Sequence, residues 1–154
     1  MAINKVLFSH NSDEWETPQW LFDELNKEFN FNLDLAATKE NSKTSVFCSK
    51  ENSGLTGIFR GNFNIWCNPP YSDIKNWCKR CYELSNDVNV VVMLVPARTD
   101  TKWFHEYCYN QKNVEIRFIK GRLKFGESKN SAPFPSMIVI FRNQNGDNNG
   151  ASED

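Results

Sequence analysis

The sequence predicts an α/β domain built on a mainly parallel sheet, with an antiparallel strand near the C-terminus. Three observations lead there. Segments of helical period alternate with short apolar runs along the chain. Residues 88–95 are apolar almost throughout, as in a strand buried on both faces of a parallel sheet. The last two strand-like runs have no helix between them, and parallel neighbours need a crossover, so one of that pair runs antiparallel.

The elements follow in order. Residues 1–14 are polar and read as a flexible lead-in. Thr17-Pro18 opens a helix: Thr is a good N-cap, Pro suits the first helical position, and Trp20, Leu21, Leu25 and Phe29 recur at helical spacing. Residues 31–35 alternate and predict a short strand ending near Asp34. Residues 38–61 are polar and irregular, with room for one short strand at 45–48. Residues 63–67 form the next strand, which Pro69-Pro70 must stop because proline cannot donate to a ladder. Ser72 or Asp73 caps a second helix with Ile74, Trp77, Cys78, Cys81 and Leu84 on one face. After the strand at 88–95, ended by Pro96, Thr99 or Asp100 starts a third helix carrying Trp103, Phe104 and Tyr107. Residues 114–119 are a strand, 121–135 a loop and 137–141 the last strand. The Asn-, Gly- and Asp-rich tail, residues 143–154, reads as disordered. The folded domain is therefore expected over residues 15–142, without internal repeats.

A chain of 154 residues, 40% hydrophobic and 24% charged, makes one soluble globular domain and argues against disorder. Its net charge of −1 gives no general support for gripping nucleic-acid phosphates, so any such contact must be local. Arg117, Lys120, Arg122 and Lys124 supply a candidate patch. The five cysteines include one C-x-x-C pair, Cys78 and Cys81, but no second pair follows. On a helix that spacing marks a half-buried face, and no metal site is expected. The odd cysteine count and the missing secretion signal point to a reducing cytoplasm. No apolar run approaches the roughly 20 residues needed to span a bilayer, so no membrane association is expected.

In an open α/β sheet, ligands bind beyond the carboxyl ends of the strands. Asn68-Pro69-Pro70-Tyr71 stands at such an end. Two prolines in succession stiffen the chain and offer only carbonyl oxygens, Asn68 adds a side-chain amide, and Tyr71 adds a flat ring. Such a corner suits a flat heterocycle bearing an NH2 group. If the Asn68 oxygen and the Pro69 carbonyl accept its two hydrogens, the nitrogen is pushed toward tetrahedral geometry and its lone pair can face an electrophilic methyl. Positioning and electrostatics then supply the acceleration. No histidine base is required, and neither His10 nor His105 has a catalytic setting. A base within a duplex would have to be flipped out, with Tyr71 as its stacking platform. The bland alternative is a rigid proline turn with Asn68 capping.

Asn68-Pro69-Pro70-Tyr71 is similar to the catalytic motif of amino-methyltransferases that use S-adenosylmethionine. With Trp15-Glu16-Thr17-Pro18, Leu33-Asp34-Leu35-Ala36-Ala37, Leu94-Val95-Pro96-Ala97-Arg98-Thr99-Asp100, Trp103-Phe104-His105 and Gly121-Arg122-Leu123-Lys124-Phe125-Gly126, the chain resembles the phage-type Dam family of DNA N6-adenine methyltransferases from about residue 13 to 142. The resemblance implies a Rossmann-like S-adenosylmethionine-dependent methyltransferase fold, DNA as partner, and a phage or prophage origin with action in the host cytoplasm. It implies that Thr17-Pro18 holds the methionine end of the cofactor, that Asp34 lies near its amino group, and that Asn68 borders it. Ala36-Ala37-Thr38 stands where the broader superfamily carries a Gly-rich loop, though small residues still permit close approach. Glu51, or Asn52-Ser53, would meet the ribose or adenine of the cofactor, with a polar surface loop as the alternative. Phe134 is a candidate second stacking ring, and Arg98, Lys120, Arg122 and Lys124 are candidate phosphate contacts. Trp103 and His105 read as helix-face or core residues. Two competing readings are a methyl transfer to RNA or a protein amide, and a cofactor- or DNA-binding module without turnover. The oligomeric state, a homo-oligomer included, is not legible.

Overall fold

The structure, a computed structural model, describes residues 15–145. The expected lead-in at 1–14 and most of the expected tail lie outside that range. Asn143, where the tail was expected to begin, is instead tied to the sheet: its side chain donates to the Val88 carbonyl at 2.6 Å and its backbone N–H to Asn89 at 3.1 Å.

Five strands form one sheet, β1 (Leu33–Asp34), β2 (Gly61–Cys67), β3 (Val88–Pro96), β4 (Val114–Phe118) and β5 (Ser136–Arg142), in the order β1-β2-β3-β5-β4. β1, β2 and β3 run parallel. β5 is antiparallel to both β3 and β4, as the missing helix between them requires. The expected mixed α/β architecture, mainly parallel, is therefore what forms.

β3 is the central strand, buried at every position but Asn89. Each fully buried Val or Leu in it contributes about 1.5–3 kcal/mol. Helix α1 (Gln19–Phe29) covers one face of the sheet and α2 (Ile74–Leu84) the other. The alternation of strand side chains decides this. Trp66 meets Phe22 of α1 edge-on at 5.6 Å, whereas its neighbour Cys67 faces the buried Cys81 of α2.

Several local expectations are corrected. Thr17 does not cap α1. The helix begins at Gln19 with Pro18 in the capping position, and the Pro18 carbonyl accepts the N–H groups of Leu21 and Phe22. The third helix is a short π-helical turn, Phe104–Cys108, rather than a regular α-helix. Before α2, Tyr71–Asp73 form a 3-10 turn; Asp73 occupies the cap position without a side-chain capping bond and accepts the Asn76 amide at 2.8 Å instead. The strand expected at 45–48 reduces to one bridge between Phe47 and Asp34.

Candidate active site

β1 and β2 are parallel neighbours, with Asp34 opposite Trp66, so their carboxyl ends lie side by side. Asp34 ends the first and Asn68 follows the second. A cleft of about 440 Å³ opens there, bordered by Thr17, Asp34, Ala36, Trp66, Asn68 and Trp77 among others. Its size is that of a pocket for a cofactor-sized molecule. Thus Thr17, Asp34, Ala36 and Asn68, all expected near a cofactor, share one cavity.

Asp34 is only 3% exposed. The chain on both sides pins it: its N–H donates to Val46, its carbonyl accepts from Cys48, and Leu35 N–H donates to Trp66. Its carboxylate accepts the backbone N–H of Lys43 at 3.0 Å and of Ala36 at 3.3 Å. Burial outweighs those two bonds and raises its pKa to about 6.

The loop after β1 lacks the expected glycines, yet the close approach they would permit is made from elsewhere. Gly54 packs so tightly on the residue after Asp34 that a Cβ there would stand 2.2 Å from the Leu35 carbonyl oxygen. Arg80 of α2 fastens this loop, donating to the carbonyls of Gly54 (2.8 Å) and Gly57. Neither Gly54 nor Arg80 was legible as a site residue, because their work is done on backbone carbonyls that any sequence carries. Ser49, Lys50 and Ser53 of the same segment border the cleft. Glu51 does not: it is exposed and accepts the Ser49 hydroxyl at 2.8 Å. Of the residues expected to meet the ribose or adenine, Glu51 and Asn52 are turned away from the cleft and Ser53, the other expected residue, borders it.

At the diproline corner, Pro69 is buried and Pro70 borders the cleft. The Asn68 amide is held from the N-terminal side. Its NH2 donates to the Trp15 carbonyl and to the Thr17 hydroxyl at 3.0 Å. Its oxygen is buried and has no hydrogen-bond partner among the described residues. A buried acceptor without a donor costs roughly 1–3 kcal/mol, and the described residues provide no donor for this one.

Tyr71, expected as a stacking platform, is buried. It is 5% exposed, donates its hydroxyl to the Leu94 carbonyl at 3.3 Å, and meets Phe125 and Phe134 edge-on. Burial pushes its hydroxyl well above the usual phenol range, so it stays neutral. Trp15 completes the cluster with edge contacts to Phe125 (5.3 Å) and Phe134 (5.0 Å). The loop bearing those rings is fixed to residue 16: Gly126, at a φ of 57° that favours glycine, donates its N–H to the Glu16 carbonyl at 2.8 Å. Phe134 lies against Trp15, whose carbonyl holds the Asn68 amide, and is half-buried.

Arg98, Lys120, Arg122 and Lys124 are exposed and do not border the cleft. Arg117 leaves the suggested basic patch. It binds Glu28 through both nitrogens (2.7 and 2.8 Å) and Glu115 at 2.5 Å, so its charge is spent on the fold. Cys78 faces Cys108 at 3.4 Å, and all five cysteines are free and buried. Burial pushes the Cys67 thiol far up, and the Cys108 contact does the same for Cys78, which leaves neither as a thiolate. Among the described residues no cluster of three or more His, Cys, Asp or Glu is arranged for a metal. His105 is exposed and contacts the Thr99 carbonyl, while Trp103 is core.

Residues 5–152 match the profile of the DNA N-6-adenine-methyltransferases (Dam). The chain belongs to the Dam family. It is 33% identical over 139 residues to a DNA N-6-adenine-methyltransferase of Haemophilus phage HP1 (strain HP1c1), covering 85% of this chain and 79% of that protein. A second Dam relative, the DNA N-6-adenine-methyltransferase of Escherichia phage T1, is 34% identical over 112 residues, 72% of this chain but 46% of its own length. This Dam chain thus spans less than half of the T1 protein. No helix among its described residues is long and apolar enough to cross a membrane.

Proposed function

We propose that this chain transfers a methyl group from S-adenosylmethionine to N6 of an adenine in DNA, and that Asn68 is the residue on which the transfer turns. The observation that carries the reading is the oxygen of Asn68, buried and without a hydrogen-bond partner among the described residues, on a residue that borders the cleft. Family membership supplies the reaction class.

The cleft suits the cofactor chemically. Asp34 offers a carboxylate for an ammonium group, Leu35, Trp66 and Trp77 offer apolar wall, and Ser49 and Ser53 offer hydroxyls for a ribose. When bound, S-adenosylmethionine supplies a methyl group on a sulfonium, which leaves as a neutral thioether. The chain's own work is positioning. The Asn68 oxygen would accept a hydrogen bond from one N6 hydrogen and the Pro69 carbonyl from the other, which frees the amine lone pair from the ring and aims it at the methyl; the surplus N6 proton leaves to solvent once the N–CH3 bond has formed. Asp34 holds the cationic end of the cofactor. Tyr71, neutral and hydrogen-bonded, shapes the wall and carries no proton. The rings of Trp15, Tyr71, Phe125 and Phe134 cluster beside Asn68 and offer an entering base aromatic contacts. Exposed Arg98, Lys120, Arg122 and Lys124 meet the phosphates.

The test is transfer of labelled methyl from S-adenosylmethionine to unmethylated DNA, followed by nucleoside analysis. N6-methyladenine is the expected product, and Asn68→Ala should abolish it while cofactor binding persists. Label on another base, on RNA alone or on protein would refute the reading.

A further inference from the structure

We infer that Thr17 is a positioning residue for Asn68: its hydroxyl, together with the Trp15 carbonyl, fixes the Asn68 amide so that only oxygen is left for the substrate. The inference rests on the reading of Asn68 given above and reassigns Thr17, expected from sequence to hold the cofactor.

An Asn side chain has two ends of nearly equal shape and opposite hydrogen-bonding sense. Nothing in Asn68 itself decides which end meets the substrate. If the NH2 end did, two N–H donors would face a purine NH2, and neither could accept from it. The environment removes this ambiguity. The Trp15 carbonyl can only accept, so the end facing it must be the NH2. The Thr17 oxygen takes the second N–H at 3.0 Å. A flipped amide would set its oxygen against the Trp15 carbonyl oxygen; the Thr17 hydroxyl, which can donate as well as accept, tethers the amide in place rather than choosing its end. Thr17 is 4% exposed and Asn68 is 51 residues further along the chain, so the contact is a tertiary one inside the protein. The acceptor is thereby fixed before substrate arrives, which is how an electrostatic site avoids reorganising during reaction.

The role belongs to the hydroxyl rather than to the bulk of Thr17. Thr17→Val keeps the shape and removes the acceptor; Thr17→Ser keeps the acceptor and loses a methyl. The first measurement needs neither cofactor nor DNA: hydrogen exchange of the Asn68 side-chain NH2 by 15N NMR, the resonance being assigned by its loss in Asn68→Ala. Thr17→Val should speed exchange about tenfold, the worth of one hydrogen bond, and Thr17→Ser should restore protection. The second is steady-state methylation. Thr17→Val should lower kcat on the order of 100-fold, the scale of a misplaced catalytic group, with the Kd for S-adenosylmethionine unchanged, and Thr17→Ser should recover most of the turnover. Wild-type exchange in Thr17→Val would overturn the anchor. Faster exchange with normal kcat would overturn its importance. A raised cofactor Kd with normal kcat at saturation would return Thr17 to cofactor holding. If the wild-type protein methylates no DNA adenine, the functional reading fails and the claim on turnover falls with it, while the exchange data still decide the anchor.

Discussion

The carboxylate of Asp34 accepts the backbone N–H of Lys43 at 3.0 Å, but this bond does not offset what burial costs the charge. The pKa rises from 3.8 to about 6. In that window the folded chain binds a proton that the unfolded chain has lost. Stability therefore falls as pH rises from 3.8 to about 6, by about 3 kcal/mol at most. A cationic ligand reverses the sign, because it favours the ionised carboxylate. Affinity for S-adenosylmethionine, measured by calorimetry, should thus tighten about tenfold between about pH 5 and pH 7. Asp34→Asn should bind weakly and without that slope, yet melt at a higher temperature than wild type near pH 7.5. An affinity flat with pH in the wild type would show that Asp34 does not face the cation.

Arg80 and Gly54 together hold the segment 49–57, whose Ser49, Lys50 and Ser53 border the cleft. Arg80→Met removes the donors to Gly54 and Gly57, so backbone exchange in that segment should accelerate and S-adenosylmethionine should bind more weakly, with kcat at saturation retained. Gly54→Ala forces a methyl against the Leu35 carbonyl and should cost roughly 1–3 kcal/mol as overpacking does. If Gly54→Ala leaves both stability and affinity intact, the loop is not packed on β1 in this way.

Arg117 and Arg142 bridge Glu28 and Glu115 across α1, β4 and β5. The Arg117 hydrogen bond first, and Arg142 second, bring Glu115 down to about 2. Here the folded pKa is depressed, so the stabilisation is present above 4.5 and is lost as pH falls toward about 2. The side chains are 37–45% exposed and screened, and Glu115→Gln should cost under about 1 kcal/mol at neutral pH and less near pH 3, by urea denaturation. The same geometry separates fold from DNA contact. Lys124→Ala should lower the salt dependence of DNA binding by about one unit of slope, whereas Arg117→Ala should leave that slope unchanged. Equal effects would place Arg117 on the DNA.

Tyr71 has two uses that substitution can separate. Tyr71→Phe loses the hydroxyl bond to Leu94 and should cost about 1 kcal/mol while methylating normally. Tyr71→Ala removes a ring from a buried cluster and should cost about 3–5 kcal/mol. Slow turnover in a fully folded Tyr71→Phe, seen by thermal melting and methyl transfer together, would mean that the hydroxyl takes part in chemistry.

Much of this was readable from local pattern. Helical period marked α1 and α2, the apolar run marked β3, and Pro69-Pro70 marked where β2 must end. These signals survive because they record what each residue does to its own backbone. What failed did so for a physical reason. Thr17 was read as a helix cap because capping is its commonest local use, and the partner it takes instead lies across the fold. Tyr71 was read as a stacking platform with no account of its burial, because a sequence carries no record of Phe125 and Phe134 closing on it. Arg117 was grouped with its basic neighbours because Glu28, its counter-ion, is distant in sequence.

The sequence by itself determined the element order, the family and the diproline corner, since these rest on residue type, period and backbone restriction. Only the tertiary structure decided which end of the Asn68 amide is free, how deeply Asp34 is buried, and which loop walls the cleft. Those depend on backbone carbonyls and on residues far apart along the chain, and a carbonyl is the same whatever side chain it carries.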